Sequence, residues 1–193
     1  MRLKIISPWS KDFATAKKLY TETFPPEDRV PLIKIIGLIT LRSTTKFWGL
    51  YENDKLCGFT LTVCSKRYLY INFIAIDPAY RSLGYGSRLL TLLKRRYHLP
   101  IIALVRLPEY ETPEYDLNLR RVRFWQRAGM EFFHYQYIFT EPSGVHYAVG
   151  VIQGEYDRDA FQEILDLRSF HPAAILRNLR RKFMAQPSNA DST

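Results

Sequence analysis

The residues best suited to chemistry in this sequence form a glycine-spaced segment, Arg81-Ser-Leu-Gly84-Tyr-Gly86. It follows a nearly continuous apolar run at 71–76 and precedes leucines at helical spacing, so it joins a buried strand to an amphipathic helix. A helix N-terminus points N–H groups at an anion, and glycines allow close approach and unusual backbone angles. Arg81 adds a fixed positive charge. The segment therefore predicts a pyrophosphate-binding loop, with a purely structural tight turn as the alternative.

This loop matches neither of two common nucleotide-binding signatures. GxxxxGK[ST] is absent, and so is GxGxxG with an acidic residue about 20 positions further on. An apolar strand, then Arg-x-x-Gly-x-Gly, then an amphipathic helix resembles instead the acetyl-CoA-binding motif of the GNAT superfamily of N-acetyltransferases. A second segment, Asn118 followed by Trp125 and Ala128-Gly129-Met130, is similar to that superfamily's "N…Y-x-x-x-G-F" pattern. The resemblance covers residues 1–152.

The resemblance implies acetyl-CoA as co-substrate and assigns its contacts. The main chain of Ile74 and Ile76 would hold the pantetheine arm and the thioester carbonyl, and a backbone N–H there would stabilise the tetrahedral oxyanion. The N–H groups of residues 82–87 would hold the pyrophosphate. Asn118 is a candidate cofactor contact or, alternatively, a helix cap. The loop residues in this cofactor set are Arg81, Ser82, Leu83, Gly84, Tyr85, Gly86 and Ser87.

Two departures from the family pattern concern the catalytic groups. Where the family usually has a tyrosine that protonates the leaving thiolate, this chain has Trp125, whose indole N–H does not ionise near neutral pH. Trp125 is a candidate catalytic residue or an ordinary core residue. Where similar members carry glutamates near a strand end, residues 104–108 read Leu-Val-Arg-Leu-Pro. The remaining candidates for a general base are the loop carboxylates Glu27, Asp28 and Glu109.

Arg106 lies at the end of the predicted strand 101–106, where it suggests a role in binding the acceptor. A guanidinium at the mouth of a site favours an acidic acceptor, such as one that bears a carboxylate. The four histidines share no motif with one another or with the carboxylates. The sequence therefore leaves the general base and the acceptor open.

The elements that position these residues predict an α/β fold. Turn residues at Asn53-Asp54 and at Pro142-Ser143-Gly144 predict two hairpins. Strand, helix, strand over 70–106 predicts one parallel pair, near 70–77 and 101–106, with a right-handed crossover. With the resemblance, this gives a GNAT-like mixed, mostly antiparallel sheet of about seven strands, a splayed parallel pair and flanking helices. The two hairpins argue against a doubly wound parallel sheet.

The predicted organisation is one domain with an extension. Residues 1–152 form the GNAT-like acetyl-CoA-binding domain. Residues 153–185 form a C-terminal helical extension packed on the same domain, with helices at 157–169 and 172–184. Residues 186–193 are predicted to be a disordered tail.

The composition excludes several classes of protein. Hydrophobic residues make up 47% and aromatic residues 15% of the chain, which describes a globular protein. Without a signal peptide, a membrane span or ligands near Cys57 and Cys64, the sequence predicts a cytoplasmic protein with no membrane partner and no metal. The net charge of +9 attracts polyanions, and coenzyme A is one. The basic residues are dispersed, which argues against nucleic acid as the partner.

The sequence thus predicts an N-acetyltransferase that transfers the acetyl group of acetyl-CoA to an amine by direct attack. A covalent cysteine intermediate is disfavoured because neither cysteine has an activating base nearby in the sequence. The alternative, supported by Trp125 and Arg106, is a GNAT-fold acyl-CoA-binding or regulatory module without catalytic activity. The acceptor could be a small-molecule amine or a peptide amine, and the sequence does not distinguish them. The sequence also leaves open whether the protein forms a homodimer.

Overall fold

One mixed sheet, with eight strands among the described residues, forms the centre of the protein. The computed structural model describes residues 1–110, 112–133, 138–140 and 146–168, without the side chains of Glu27, residues 138–140, His146 and Arg168. The sheet order is β1-β2-β3-β4-β5-β8-β6, with β7 also paired to β8. The strands are β1 (Arg2–Ile5), β2 (Thr45–Glu52), β3 (Lys55–Cys64), β4 (Leu69–Ile76), β5 (Ile101–Arg106), β6 (Met130–Phe132), β7 (Ile138–Thr140) and β8 (His146–Ile152).

Five α-helices lie within the described residues: α1 (Lys11–Thr23), α2 (Leu32–Leu41), α3 (Tyr85–Tyr97), α4 (Tyr115–Arg127) and α5 (Arg158–Arg168). Ser10 caps α1 as predicted, because its Oγ accepts a hydrogen bond from the Phe13 N–H at 3.2 Å. The turn between β2 and β3 has positive φ at both Asn53 and Asp54, which is the hairpin turn that the sequence predicts.

The two faces of the sheet carry different helices because side chains alternate along each strand. One face packs α3 and α4 over residues such as Trp48, Leu69 and Ile101. The opposite face packs α1 and α2 over residues such as Phe47 and Phe73. Further along this second face, α5 covers a third cluster, which includes Ile102, Val149, Val151, Phe161 and Ile164.

The parallel pair confirms the predicted topology. Strands β4 and β5 are the one parallel pair among the described strands, and α3 connects them. They pair only at Leu69↔Ile101, Tyr70↔Ile102 and Ile71↔Ala103. Beyond Ile71 the ladder ends, so the carboxyl-terminal halves of the two strands diverge.

The predicted strand at 131–140 is divided in two. β6 pairs with residues 150–152 of β8, and β7 pairs with residues 146–148. This division turns about seven strands into eight. Residues 134–137 and the predicted turn at 142–144 lie outside the described residues, as do the helix predicted at 172–184 and the tail at 186–193.

Helix α5 accounts for the described part of the predicted C-terminal extension. It buries Ala160, Phe161 and Ile164 against β8 and β5. In the ranges that the structure describes, no helix combines the length and the apolar character needed to cross a membrane.

Candidate functional site

A cavity of about 1190 Å³ opens where β4 and β5 diverge, and we call it the central cavity. Its walls are the free halves of those two strands, the start of α3, the inner face of α4 and the segment that follows α1. Among the described residues its lining holds seven arginines but only two carboxylates, Glu22 and Asp28. A cavity of this size and charge fits a large anionic ligand.

The edge of β4 that faces this cavity carries main-chain groups that pair with no strand beyond Ile71. The Asp77 N–H donates to the Cys57 carbonyl, and the Phe73 carbonyl accepts from the Thr60 hydroxyl, so both point toward β3. Main-chain groups alternate in direction along a strand, so those of Ile74 and Ile76 point toward the cavity. The structure therefore places both residues where the sequence predicts a pantetheine-binding edge.

The start of α3 supplies further donors. Gly84 is the N-cap with φ +79°, a conformation that favours glycine, and it contributes no side-chain cap. The N–H groups of the first turn, Tyr85 to Ser87, therefore have no acceptor within the helix. Gly84, Tyr85, Gly86 and Ser87 all line the cavity. This geometry is that of an anion-binding helix N-terminus.

Gly86 corrects one expectation from the sequence, because its φ is not positive. A Cβ on Gly86 would lie 2.9 Å from Cε2 of Phe124 on α4. Glycine is therefore required there for close packing of α3 against α4, whereas at Gly84 it is required for backbone conformation.

The remaining loop residues differ in their placement. Arg81 lines the cavity, and its Nε donates to the Ile76 carbonyl at 2.9 Å. Ser82 also lines it, with a positive φ of 62°. Leu83 does not line it and is 61% exposed.

The segment after α1 forms the opposite wall and is held firmly in place. The Tyr20 hydroxyl accepts from the Val30 N–H at 2.7 Å and donates to the Val30 carbonyl at 3.1 Å. Burial raises the pKa of Tyr20 to about 12, so this hydroxyl keeps its proton. Arg29 donates to the carbonyls of Phe24 and Thr21 near the end of α1. These bonds fix the position of Asp28.

Asp28 reaches two residues at the ends of neighbouring strands. Its Oδ1 accepts from the Tyr147 hydroxyl at 2.6 Å, and its Oδ2 lies 3.7 Å from Nη1 of Arg106. Arg106 of β5 stands directly opposite Tyr147 of β8. The side chains of Asp28 and Arg106 are only 10% and 12% exposed, so this pair is largely withdrawn from bulk water. All three residues line the cavity.

The inner face of α4 presents Asn118, Arg121 and Trp125, which share one side of the helix at spacings of three and four. Asn118 is 1% exposed and does not line the cavity. Its Oδ1 instead accepts from Nη1 of Arg121 at 3.1 Å, so Asn118 orients that guanidinium. The Arg121 Nη2 extends to within 3.5 Å of the Thr23 carbonyl. Arg121 thus reaches across from α4 to the end of α1.

The electrostatics of Arg121 reflect this crowded position. Burial lowers the pKa of its guanidinium, the Asp28 carboxylate raises it, and the neighbouring Arg106 charge lowers it. Because arginine stays protonated in proteins, a cation remains in a partly desolvated site beside another cation.

Trp125 lies both in the core and at the cavity wall. It is 5% exposed and belongs to the core cluster on the α3 and α4 face. It also lines the central cavity and packs against Phe124, with ring centroids 5.2 Å apart. An indole therefore stands at the cavity wall, at the position where the resemblance in sequence leads us to expect a tyrosine.

Two predicted carboxylates are not brought to the cavity. Glu109 lies in the loop after β5, outside the cavity lining, and its Oε1 is buried without a hydrogen-bond partner among the described residues. Glu27 belongs to the turn Pro26–Asp28, and its side chain is outside the description. Of the three candidate bases, Asp28 is the one whose described side chain lines the cavity.

Sequence reasoning missed Arg121 and Tyr147. Arg121 carried a usable signal, because it lies between Asn118 and Trp125 on the same helical face. Tyr147 carried none. Its role depends on the register that sets it opposite Arg106, and one sequence does not reveal that register.

Comparison with known proteins identifies the family. The model of the Acetyltransferase (GNAT) family matches residues 13–130, more than half of the chain. The chain belongs to this family. A search of curated protein sequences found no match.

Solved structures share the GNAT fold. A GNAT-family protein from Bacteroides thetaiotaomicron has a TM-score of 0.70 at 24% identity, over 86% of this chain and 93% of that one. An aminoglycoside 6'-N-acetyltransferase in complex with coenzyme A has a TM-score of 0.60 at 11% identity, over 81% and 100%. GphF, a GNAT-like decarboxylase in complex with isobutyryl-CoA, has a TM-score of 0.60 at 15% identity, over 79% and 98%. At these identities the likeness establishes the fold alone.

Proposed function

We propose that this GNAT protein is an acetyl-CoA-dependent N-acetyltransferase in which an amine attacks the thioester directly. One observation carries the proposal. The central cavity joins the β4 edge at Ile74 and Ile76, which pairs with no strand on that side, to the N-terminus of α3 at Gly84, which has no side-chain cap. A pantetheine amide pairs with the first, and a pyrophosphate with the second. Complexes of GNAT-fold proteins with coenzyme A and isobutyryl-CoA support a ligand of this class.

The proposed reaction uses the two sides of the cavity separately. Asp28 accepts a proton from the acceptor ammonium, and the Tyr147 hydroxyl orients the carboxylate through its hydrogen bond. The amine nitrogen then attacks the thioester carbonyl carbon, and a main-chain N–H of the β4 edge stabilises the oxyanion. The attacking nitrogen loses its second proton to water as the C–S bond breaks, which leaves a neutral amide and coenzyme A thiolate.

Trp125 is compatible with this sequence of steps. Its N–H donates a hydrogen bond but does not supply a proton near neutral pH. A thiol has an ordinary pKa of about 8.5, so the thiolate leaves without obligatory protonation and takes a proton from water afterwards. Transfer without a tyrosine at residue 125 is therefore slower rather than forbidden.

The alternative is an acyl-CoA-binding or regulatory module without catalysis, and Trp125 is the residue that favours it. Both functions require acetyl-CoA binding, and only the enzyme releases coenzyme A in an amine-dependent manner. Calorimetry with acetyl-CoA, followed by an amine-library assay of free thiol, separates the two.

Asp28→Asn tests the proposed base. We expect kcat to fall about 10²- to 10⁴-fold with acetyl-CoA affinity unchanged. Asp12→Asn is the matched control, because the Asp12 carboxylate accepts from the Tyr51 hydroxyl at 2.7 Å and does not line the cavity. Equal activity in the two variants would remove Asp28 from the mechanism.

A further inference from the structure

Helix α2 is apolar on its outer face as well as on its inner one. The inner face buries Ile35 and Leu38. On the outer face Ile33 and Leu41 are 75% and 77% exposed. Lys34 is the one charged residue of the ten in this helix. A surface helix normally carries polar residues on its outer face, so this face is typical of one that a partner covers.

The outer face of α2 has the shape of a shallow groove. Ile33, Gly37 and Leu41 follow one another at a spacing of four and therefore form a single row along the helix. Gly37 has no side chain, so it leaves a gap between the two larger residues. A second helix whose apolar residues share this spacing would fit the row, with its middle side chain over Gly37.

Helix α5 ends beside this row. Arg42, the C-cap of α2, directly follows Leu41, and its Nη1 donates to the Leu167 carbonyl at 2.7 Å. Leu167 is the penultimate residue of α5, so the chain leaves α5 at the carboxyl end of α2. Residues 169–193 follow in the sequence.

The sequence of that segment matches the row on α2. In the helix predicted at 172–184, Ile175, Leu179 and Phe183 also recur at a spacing of four. The basic residues of the stretch lie at other angles around the helix and would stay in water: Arg177, Arg180, Arg181 and Lys182. The predicted helix thus has one apolar stripe that needs a surface to cover it.

Length and direction also agree. The 13 residues of the predicted helix extend about 20 Å and the 10 residues of α2 about 15 Å, so one can cover the other. Residues 169–171 connect the predicted helix to α5, and three residues reach at most about 11 Å. The predicted helix therefore starts near Leu41 and covers α2 only in the antiparallel direction. That direction places Leu179 over Gly37.

We propose that residues 172–184 dock as an amphipathic helix on the outer row of α2, formed by Ile33, Gly37 and Leu41. The occupant of the row is thus a segment of the same chain. Helix α2 directly follows the cavity wall that carries Asp28, so the docked segment braces that wall. The docking does not depend on the proposed function.

The melting temperature of the full-length protein provides the first test. Ile33→Glu places a carboxylate in the first turn of α2, where the helix dipole and the higher helix propensity of glutamate favour it if the row is bare. If the segment covers Ile33, the same change buries a charge and lowers the melting temperature by about 3–6 °C. We expect this loss, and a similar one for Leu179→Glu. The double variant should lose no more than the larger single effect, because both changes break one contact.

Asn178→Glu is the matched control for Leu179→Glu. It makes the same change in charge in the same predicted helix, outside the apolar row, and should shift the melting temperature by no more than about 2 °C. An unchanged or higher melting temperature for Ile33→Glu would overturn the proposal, because it would show that the row is bare. An equal loss for Asn178→Glu and Leu179→Glu would overturn it as well.

A cross-link identifies the occupant of the row. Gly37→Cys combined with Leu179→Cys places two thiols across the proposed contact, with the partly buried Cys64 replaced by serine and Cys57 buried. The reagent is a bismaleimide that spans the distance between packed helix axes, about 8–10 Å. We expect a link within one chain, identified by mass spectrometry of the peptides, and none in Gly37→Cys alone.

Other occupants give different results. Links between two chains would assign the row to a second copy of the protein. Protection of Gly37→Cys from maleimide by anionic lipid vesicles, with no link to Leu179→Cys, would assign it to a membrane surface. Either result, or the absence of any link, would overturn the proposal.

Discussion

Residue 125 is a tryptophan, whereas the resemblance in sequence leads us to expect a tyrosine at this position. The sequence leaves Trp125 as a catalytic candidate or an ordinary core residue, and the structure places it both in the core and on the cavity wall. Its side-chain type limits the chemistry, since an indole N–H donates a hydrogen bond but no proton. The substitution Trp125→Tyr therefore distinguishes packing from catalysis.

We expect Trp125→Tyr to raise kcat and to leave acetyl-CoA affinity nearly unchanged. A phenol can protonate the leaving thiolate, a contribution typically of about 10²- to 10⁴-fold, and a smaller gain is expected where water already supplies the proton. The smaller ring should lower the free energy of unfolding by about 1–3 kcal/mol. Stopped-time assays of coenzyme A release and urea unfolding measure the two effects. Lower stability with unchanged kcat would make Trp125 a core residue only.

Other residues of the site show where sequence reasoning reached its limit. The loop Arg81 to Ser87 could be predicted because its glycines and flanking patterns are local signals. The sequence could name Asp28 only as one of three candidate carboxylates. Singling it out depends on its contacts with Arg106 and Tyr147, which the structure shows. Those contacts join three segments far apart in sequence, and no local pattern encodes them.

Helix α3 shows that two glycines of one motif serve different physical purposes. Gly84 needs its positive φ, and nothing lies within 4 Å of where its Cβ would be. Gly86 avoids a collision with Phe124. A substitution at Gly86 therefore disturbs packing between helices, whereas one at Gly84 reports more directly on the proposed anion site.

We expect Gly84→Glu to abolish acetyl-CoA binding, because a carboxylate at the N-cap would occupy and repel the pyrophosphate position. Gly84→Gln is the matched control, since it has the same shape and the same backbone strain without the charge. Calorimetry on both variants, with circular dichroism to verify folding, measures the difference. Equal affinities for the two variants would contradict a pyrophosphate at this helix start.

The segment between α1 and α2 is positioned by hydrogen bonds rather than by regular structure. The Tyr20 hydroxyl holds both main-chain groups of Val30, and Asp28 lies two residues before it. We expect Tyr20→Phe to raise KM for the acceptor with acetyl-CoA affinity unchanged, and to lower the free energy of unfolding by about 1 kcal/mol.

Tyr68→Phe provides the comparison for that variant. The Tyr68 hydroxyl also binds two main-chain groups, the carbonyl of Glu155 and the N–H of Asp157, at a place outside the central cavity. It should cost similar stability without changing KM. Steady-state kinetics on both proteins provides the test, and an equal rise in KM would mean that the effect of Tyr20 is global.

At the scale of the molecule, the sheet topology could be predicted and its finer divisions could not. The hairpin at Asn53-Asp54 and the crossover through α3 have strong local patterns. The division between β6 and β7 has no such pattern, because the arm at 131–140 is apolar and aromatic throughout much of its length. The splay of β4 and β5 followed only from the resemblance, since nothing in either strand alone marks residue 71 as the last paired position.

The short pairing of β4 with β5 has a consequence for the rate at which amide protons exchange with solvent. The amides of Ile74 and Ile76 face the cavity rather than a neighbouring strand, whereas Ala75 pairs with Phe59 of β3. In heavy water the first two should exchange fast and the third slowly. A bound pantetheine would take the place of the missing strand, so acetyl-CoA should slow exchange at Ile74 and Ile76 and leave Ala75 unchanged. Exchange followed by NMR would thus report, residue by residue, whether a ligand completes the sheet.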